Sequence, residues 1–212
     1  TPAVLVDHLF PHLNELGFDN YIGLFKDTMF MRWFGNTFLI AVVSCIISTL
    51  STLMVSYSFS RLRFKARKPF INIGMIMGMF PGFMTMIALY YILKMIGLDQ
   101  TLGGLILCYS AGAGLNYLVM KGFLDTIPHA LDEAATIDGA NKNQIFWKII
   151  LPMAKPMVIY TVLTTFIGPW CDFILVKLIM QDNVQNYTVS RGLWMWTEKE
   201  YKTEYYRYFL SG

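Results

Sequence analysis

The apolar positions of this chain fall in long unbroken blocks, without the every-third-or-fourth rhythm of a soluble amphipathic helix. Four blocks stand out, at residues 33–57, 70–97, 102–120 and 157–180. Each reaches or nearly reaches the ~20 residues that cross a hydrocarbon core of ~30 Å. That core holds no water, so backbone groups must bond within their own segment and each block is expected to be a helix. The connectors are short except for residues 121–156, a polar, alanine-rich run with a helical pattern of its own. The expected fold is therefore an all-α integral membrane protein, a polytopic helix bundle over residues 33–180. Flanking segments at 1–32 and 181–212 lie outside the spans. A soluble four-helix bundle would need polar faces that these blocks lack.

Composition agrees. Apolar residues make up 55% of the chain and charged residues 15%, with mean hydropathy +0.47, against roughly 25% charge in a soluble domain. Charge also orients the spans. Residues 61–68 carry five Lys or Arg and no acid, whereas the next connector holds Asp99 and no cation. The positive-inside rule makes the first cytoplasmic and the second external. Alternation then puts 121–156 in the cytoplasm and both ends of the chain outside, although four Lys and four acids in that long connector give it no bias of its own. The net charge of +3 mostly reflects residues 61–68, and nucleic-acid binding is not needed to explain it. An external start without Met, basic n-region or apolar h-region leads us to expect an upstream span, so that the chain is a fragment cut at both ends.

Catalytic constellations are missing. Cys45, Cys108 and Cys171 sit singly in apolar blocks, where free Cys is a small hydrophobe. His8 and His12 are interrupted by Pro11 and lack an acid to complete a metal site, and His129 is isolated. No Ser-His-Asp grouping or glycine-rich phosphate loop is present, so no enzyme activity is expected.

Two blocks are interrupted instead. Pro81-Gly82 in the second and Gly168-Pro169 in the fourth remove helix hydrogen bonds. In lipid the freed carbonyls need protein or a watery cavity beside them. These four residues are candidate hinges along a transport path, with a simple packing kink as the alternative. Asp172 at mid-membrane would cost about 2.5–3.5 kcal/mol and must face the interior or find a partner. With Trp170, Asn116 and Tyr90 it gives the hydrogen-bonding groups and flat aromatic faces that a sugar path would use. Lys177 is expected to snorkel outward. Ser44, Ser48, Thr49, Ser51 and Thr52 suit close helix packing. Phe25, Phe30, Trp33, Trp194, Trp196, Tyr201, Tyr205 and Tyr206 suit an interfacial belt, with docking of a binding protein near 184–196 as an alternative.

The long connector has clear local signals. Asp125 or Thr126 can cap a helix, Pro128 fits its first turn, and alanines 130, 134 and 135 favour it. Gly139 stops it. A second helix follows over about 143–151, with Ile145, Phe146, Ile149 and Ile150 on one side and Pro152 closing it. Small residues on a short helix suit insertion into a cleft, with Glu133 and Asp138 supplying charge. A solvated connector lying on the headgroups is the alternative on pattern alone.

The spacing decides between them. Glu133-Ala134-Ala135, three residues, Gly139, nine residues, Ile149, one residue, and Leu151-Pro152 resembles the EAA loop of the membrane subunits of ATP-binding-cassette importers. The surrounding GFLDTIPHALDEAATIDGANKNQIFWKIILPMAKP is similar to the carbohydrate branch, the smaller permease of maltose-type importers. The resemblance implies a coupling helix (Glu133, Ala134, Ala135, Asp138, Gly139, Ile149, Leu151, Pro152) docked in a groove of a cytoplasmic ATPase. It implies six spans, of which four are here. It further implies a second homologous permease, two ATPase copies that bind ATP and Mg, and an extracytoplasmic solute-binding protein, in the plasma membrane of a prokaryote. This chain itself would bind no cofactor. The implied solute is a sugar or oligosaccharide, with an amino acid, polyamine or phosphonate as alternatives. Ala88 and Cys171 depart from the common pattern, outside the loop. A gated channel would need a filter-like run that is not present, and a scaffold would leave Asp172 and both mid-span prolines without purpose.

Overall fold

Small side chains every third or fourth position let one helix become the axis of the molecule. In the computed structural model, which describes residues 19–112, 116–198 and 205, all regular structure among those residues is helical. A short α1 (Asp19–Asp27) leads into α2 (Phe30–Arg61), 32 residues long. At 1.5 Å per residue α2 measures about 48 Å, well beyond a ~30 Å hydrocarbon core. Along it Thr37, Ala41, Ser44, Ser48, Thr52, Ser56 and Ser60 are buried. Against this stripe pack α5 (Leu102–Gly112), α6 (Asn116–Thr126), α10 (Lys155–Cys171) and α12 (Val189–Met195). Thr37 donates to Trp33 O and Ser44 to Ile40 O within the helix, whereas Ser56 and Ser60 donate across to Tyr117 O and Asp125 Oδ1. Ser51, expected in the same packing, is exposed.

Two apolar cores form, one toward each end of α2. The first gathers Trp33, Ile40, Leu93, Leu105, Ile179 and Trp196. The second gathers Leu53, Met120, Leu124, Ile145 and Ile150. At the first end the chain after α11 (Ile174–Met180) folds back over the start of α2. Trp33 Nε1 donates to Val184 O at 2.8 Å, and Asn36 to Gln185 O and Tyr187 O. Trp33 and Trp196 therefore pack together inside the protein, ring centroids 5.2 Å apart and planes tilted by 50°, with Tyr205 stacked on Trp196. That corrects their assignment to an interfacial belt, and Phe30 is buried in the same core; Phe25 and Trp194 are exposed. Tyr201 and Tyr206, like His8 and His12, lie outside the described residues. Burial pushes the Tyr187 phenol above its ordinary range, which keeps it a neutral donor to Gln181 O.

The four expected blocks are all helical, but they do not coincide with four unbroken helices. Among the described residues α2 is long and apolar enough to cross a membrane, and α5 and α6 qualify when taken together. Two bent pairs (α3 with α4, and residues 142–153 with α10) would raise the number of crossings to four if each counts as one. The second block is α3 (Arg67–Gly78) and α4 (Gly82–Met95), bent by 103° at Pro81, a sharp corner where a kink was expected. The fourth block breaks elsewhere than expected: α10 runs straight through Gly168-Pro169 and ends at Cys171, before Asp172. Cys171 is exposed, against the expectation of burial, while Cys45 and Cys108 are buried.

Gly192 of α12 faces Trp33 so closely that a Cβ there would overlap the indole. Gly192→Val should therefore lower stability by about 1–3 kcal/mol, the usual cost of overpacking. Thermal unfolding in detergent checks this against Gly35→Ala, where the added carbon meets open space.

Candidate functional site

The polar groups that the spans carry converge on a cavity between the two cores. It encloses about 880 Å³, and its walls include Phe70, Tyr109, Asn116, Tyr117, Thr165 and Asp172. The break after α10 is what brings Asp172 here. Asp172 has extended backbone, ψ 115°, and its Oδ1 accepts from Leu175 N at 3.1 Å, starting α11. Its Oδ2 accepts from the Tyr109 hydroxyl at 3.3 Å. A carboxylate among apolar helices is thus held by two donors, as its cost of burial demands. Gly74 on the opposite wall leaves room for the Tyr117 hydroxyl, which a Cβ there would have to displace.

Of the path residues expected from the sequence, Asn116 and Asp172 line this cavity together, and so do Gly82 and Gly168. Trp170 is turned onto Phe34 and Phe166, with centroids at 5.2 and 6.2 Å. Tyr90 sits at the far end of α4, its hydroxyl accepting from Gln181 at 2.7 Å. Lys177 is exposed and paired with Glu198. Tyr109, which sequence reasoning passed over, is the side chain that meets Asp172; its place inside an apolar block carried no signal of that contact.

At the other end of α2 the long connector folds as a helix, a turn and a second helix. The first, α7 (Ala130–Ile137), follows His129, which makes no side-chain cap. Neither expected cap serves: Asp125 instead accepts from Ser60 and Lys121, and Thr126 donates to Phe123 O. Gly139 ends α7 with φ +84°, a left-handed conformation that favours glycine. Ala140 N reaches Ala135 O and Gly139 N reaches Thr136 O, a Schellman closure. Asn141 and Gln144 then form a reciprocal capping box that opens α8 (Lys142–Ile145). A π turn, Phe146–Ile150, carries on into α9 (Leu151–Met153), so Pro152 does not close the helix. The corner comes at Ala154, where the chain bends by 77° into α10.

This loop has two faces. Ala135, Ile145 and Ile150 are buried in the second core, with Ile149 and Leu151 packed against it. Glu133, Ala134 and Asp138 are exposed, and so is Gly139. Beside them Leu131 is exposed, Ile137 is 86% exposed and Trp147 is 51% exposed. Apolar side chains left bare in this way mark an interaction surface, for protein or for membrane.

Sequence reasoning took Arg61 only as bulk positive charge. The structure seats its side chain, 3% exposed, at the junction of α2, α6 and α7. Its guanidinium donates to Leu124 O at 3.0 Å and Ile127 O at 2.8 Å, and meets His129 Nδ1 at 2.7 Å. Asp132 Oδ2 lies 3.3 Å from Arg61 Nε, a charge contact without the alignment of a hydrogen bond.

A helical membrane subunit emerges, with a lined cavity between its spans and a bent helical loop bared at one end. Residues 49–198 match the family described as binding-protein-dependent transport system inner membrane component, and the chain belongs to that family. It is 35% identical over 180 residues to the maltodextrin transport system permease protein MalD of Streptococcus pneumoniae, covering 84% of this chain and 64% of that protein. It is 37% identical over 180 residues to the galactooligosaccharides transport system permease protein GanQ of Bacillus subtilis, covering 83% and 63%. With the maltose/maltodextrin permease MalG of Vibrio vulnificus it shares 32% over 169 residues, covering 77% and 57%. The chain thus spans somewhat less than two thirds of the length of these curated relatives.

Removing the Asp172 carboxylate should leave Leu175 N–H and the Tyr109 hydroxyl without their acceptor. Asp172→Ala is expected to destabilise by about 1–3 kcal/mol more than Asp172→Asn, which keeps an acceptor oxygen. Detergent melting curves of the two variants check the order.

Proposed function

We propose that this chain is a permease subunit of an ATP-driven importer, forming with a second, homologous permease the path for a sugar or oligosaccharide. The single observation that carries the reading is the bared face of α7 within a loop that keeps every fixed position of the EAA pattern. A groove in a cytoplasmic ATPase is the occupant that fits it, with Ala134 permitting close approach and Glu133 and Asp138 supplying charge. The uncovered apolar faces of α3 and α4 support a second permease as neighbour: α3 has no buried residue, and Met75, Ile76, Phe83 and Met84 all stand exposed. The solute class rests on the named relatives, which transport maltodextrin and galactooligosaccharides. A cavity that sets Asp172, Asn116 and Tyr109 among aromatic rings suits a hydroxylated solute. A solute-binding protein would dock at the opposite end, where residues 184–196 cover α2.

In this mechanism two ATPase copies close on ATP, draw the coupling helices together and turn the span bundles, so the cavity opens in turn to each side. Such coupling requires that ATPase contact favour one of two arrangements of the bundle. This chain hydrolyses nothing.

Glu133→Lys reverses a charge on the bared face, and Gly139→Asp adds one while placing a Cβ in the left-handed region. Both should cut ATP-dependent uptake into proteoliposomes at least tenfold and reduce ATPase co-purification, with membrane insertion unchanged. Wild-type uptake in either variant would refute the docking role, and uptake without ATP would point to a channel.

A further inference from the structure

Arg61 holds two separate helix ends at once. Its bonds go to Leu124 O and Ile127 O at the C-terminal end of α6, where Leu124 O also accepts from Ile127 N. Its contacts with His129 and Asp132 grip the first turn of α7, the helix with the bared face. The neighbouring Ser60 donates to Asp125 Oδ1 at 2.6 Å, so two successive residues of α2 tie down the same corner. Burial of the guanidinium makes the arrangement demanding, because each donor left without a partner costs more away from water. A planar fork suits this task and an ammonium does not, since one group must satisfy acceptors in several directions.

We infer that Arg61 is the positioning residue of the coupling joint: it locks α7 to the end of α2, so that displacement of the loop becomes displacement of the central span. This rests on the importer reading for its consequence, but the lock itself is a property of this chain. Asp132 is the second half of the lock. The residue lies one position before Glu133, yet its carboxylate turns inward and takes no part in the bared face.

Two measurements on the purified importer assembly, with its ATPases, test this. Spin labels at Ser58→Cys and Thr136→Cys report the spacing of α2 and α7. A single narrow distance, unchanged on adding ATP with vanadate, is expected with Arg61 in place, and a broadened or shifted one in Arg61→Ala. In proteoliposomes loaded with binding protein and labelled maltodextrin, Arg61→Ala should keep at least half of the ATP hydrolysis while uptake falls tenfold or more. Arg61→Lys should recover only part of the uptake. Asp132→Asn should move the same ratio in the same direction, and it serves alone if Arg61→Ala does not assemble. An unchanged distance in the variants overturns the inference. So does a parallel loss of hydrolysis and uptake, which would mark a merely structural role. A wild-type assembly that neither hydrolyses ATP nor moves maltodextrin counts against the importer reading, and the distance measurement then still decides the lock.

Discussion

Close packing against one face of α2 is the constraint on which the rest of the molecule depends. Lipid tails are as apolar as leucine, so helices in a bilayer gain little by hiding apolar surface from it. They associate where backbones approach closely, and that needs small side chains. The stripe from Thr37 to Ser60 supplies them, and four other helices come in on it. Polar groups on the stripe also join elements far apart in sequence. Ser56 donates to Tyr117 O, and Thr37 Oγ accepts from Val189 N. A large residue at any of these places would push out a helix and the part of the site that it carries.

Because α2 outruns the hydrocarbon core, its two ends are free to hold different things. One end is wrapped by the returning chain 181–196 and carries the Trp33–Trp196 core. The other is wrapped by the loop and carries the second core. The cavity lies between, where breaks at Pro81 and Asp172 prevent neighbouring helices from closing over it. Each break is made by a local device. The residue before a proline is pushed out of the helical region, and Pro81 itself has extended backbone at the head of α4. At Asp172 the carboxylate starts a new helix.

What the sequence disclosed follows from how local each signal is. Long apolar blocks marked the spans, and Gly139, with its left-handed demand, marked the loop's turn. The buried side of the second loop helix was legible from Ile145, Phe146, Ile149 and Ile150. Position of the fourth break was not, because a proline in the last turn removes only one bond. Asp172 N still reaches Gly168 O, so α10 continues through Pro169. Trp33 read as interfacial because its cover, Val184 to Trp196, lies some 150 residues on. Arg61 was hidden for another reason. It belongs to a run of cations whose summed charge sets orientation, and only the fold separates the one that is buried.

Within the loop, few joints are left soft. The Schellman closure at Gly139 and the capping box at Asn141 fix the turn between its helices, and the second core holds their inner sides. Packed interiors resist continuous deformation and shift as units. The bend at Ala154 is itself firm: the residue is fully buried, its N–H bonds Ile150 O, and its carbonyl accepts from Met157 and Val158. The loop is therefore tied to the bundle at two places, through Arg61 to α2 and α6, and through the Ala154 corner to α10. Those helices supply Asn116, Thr165 and Gly168 to the cavity wall. The exposed face of α7 is thus joined to the cavity wall through packed contacts among the described residues.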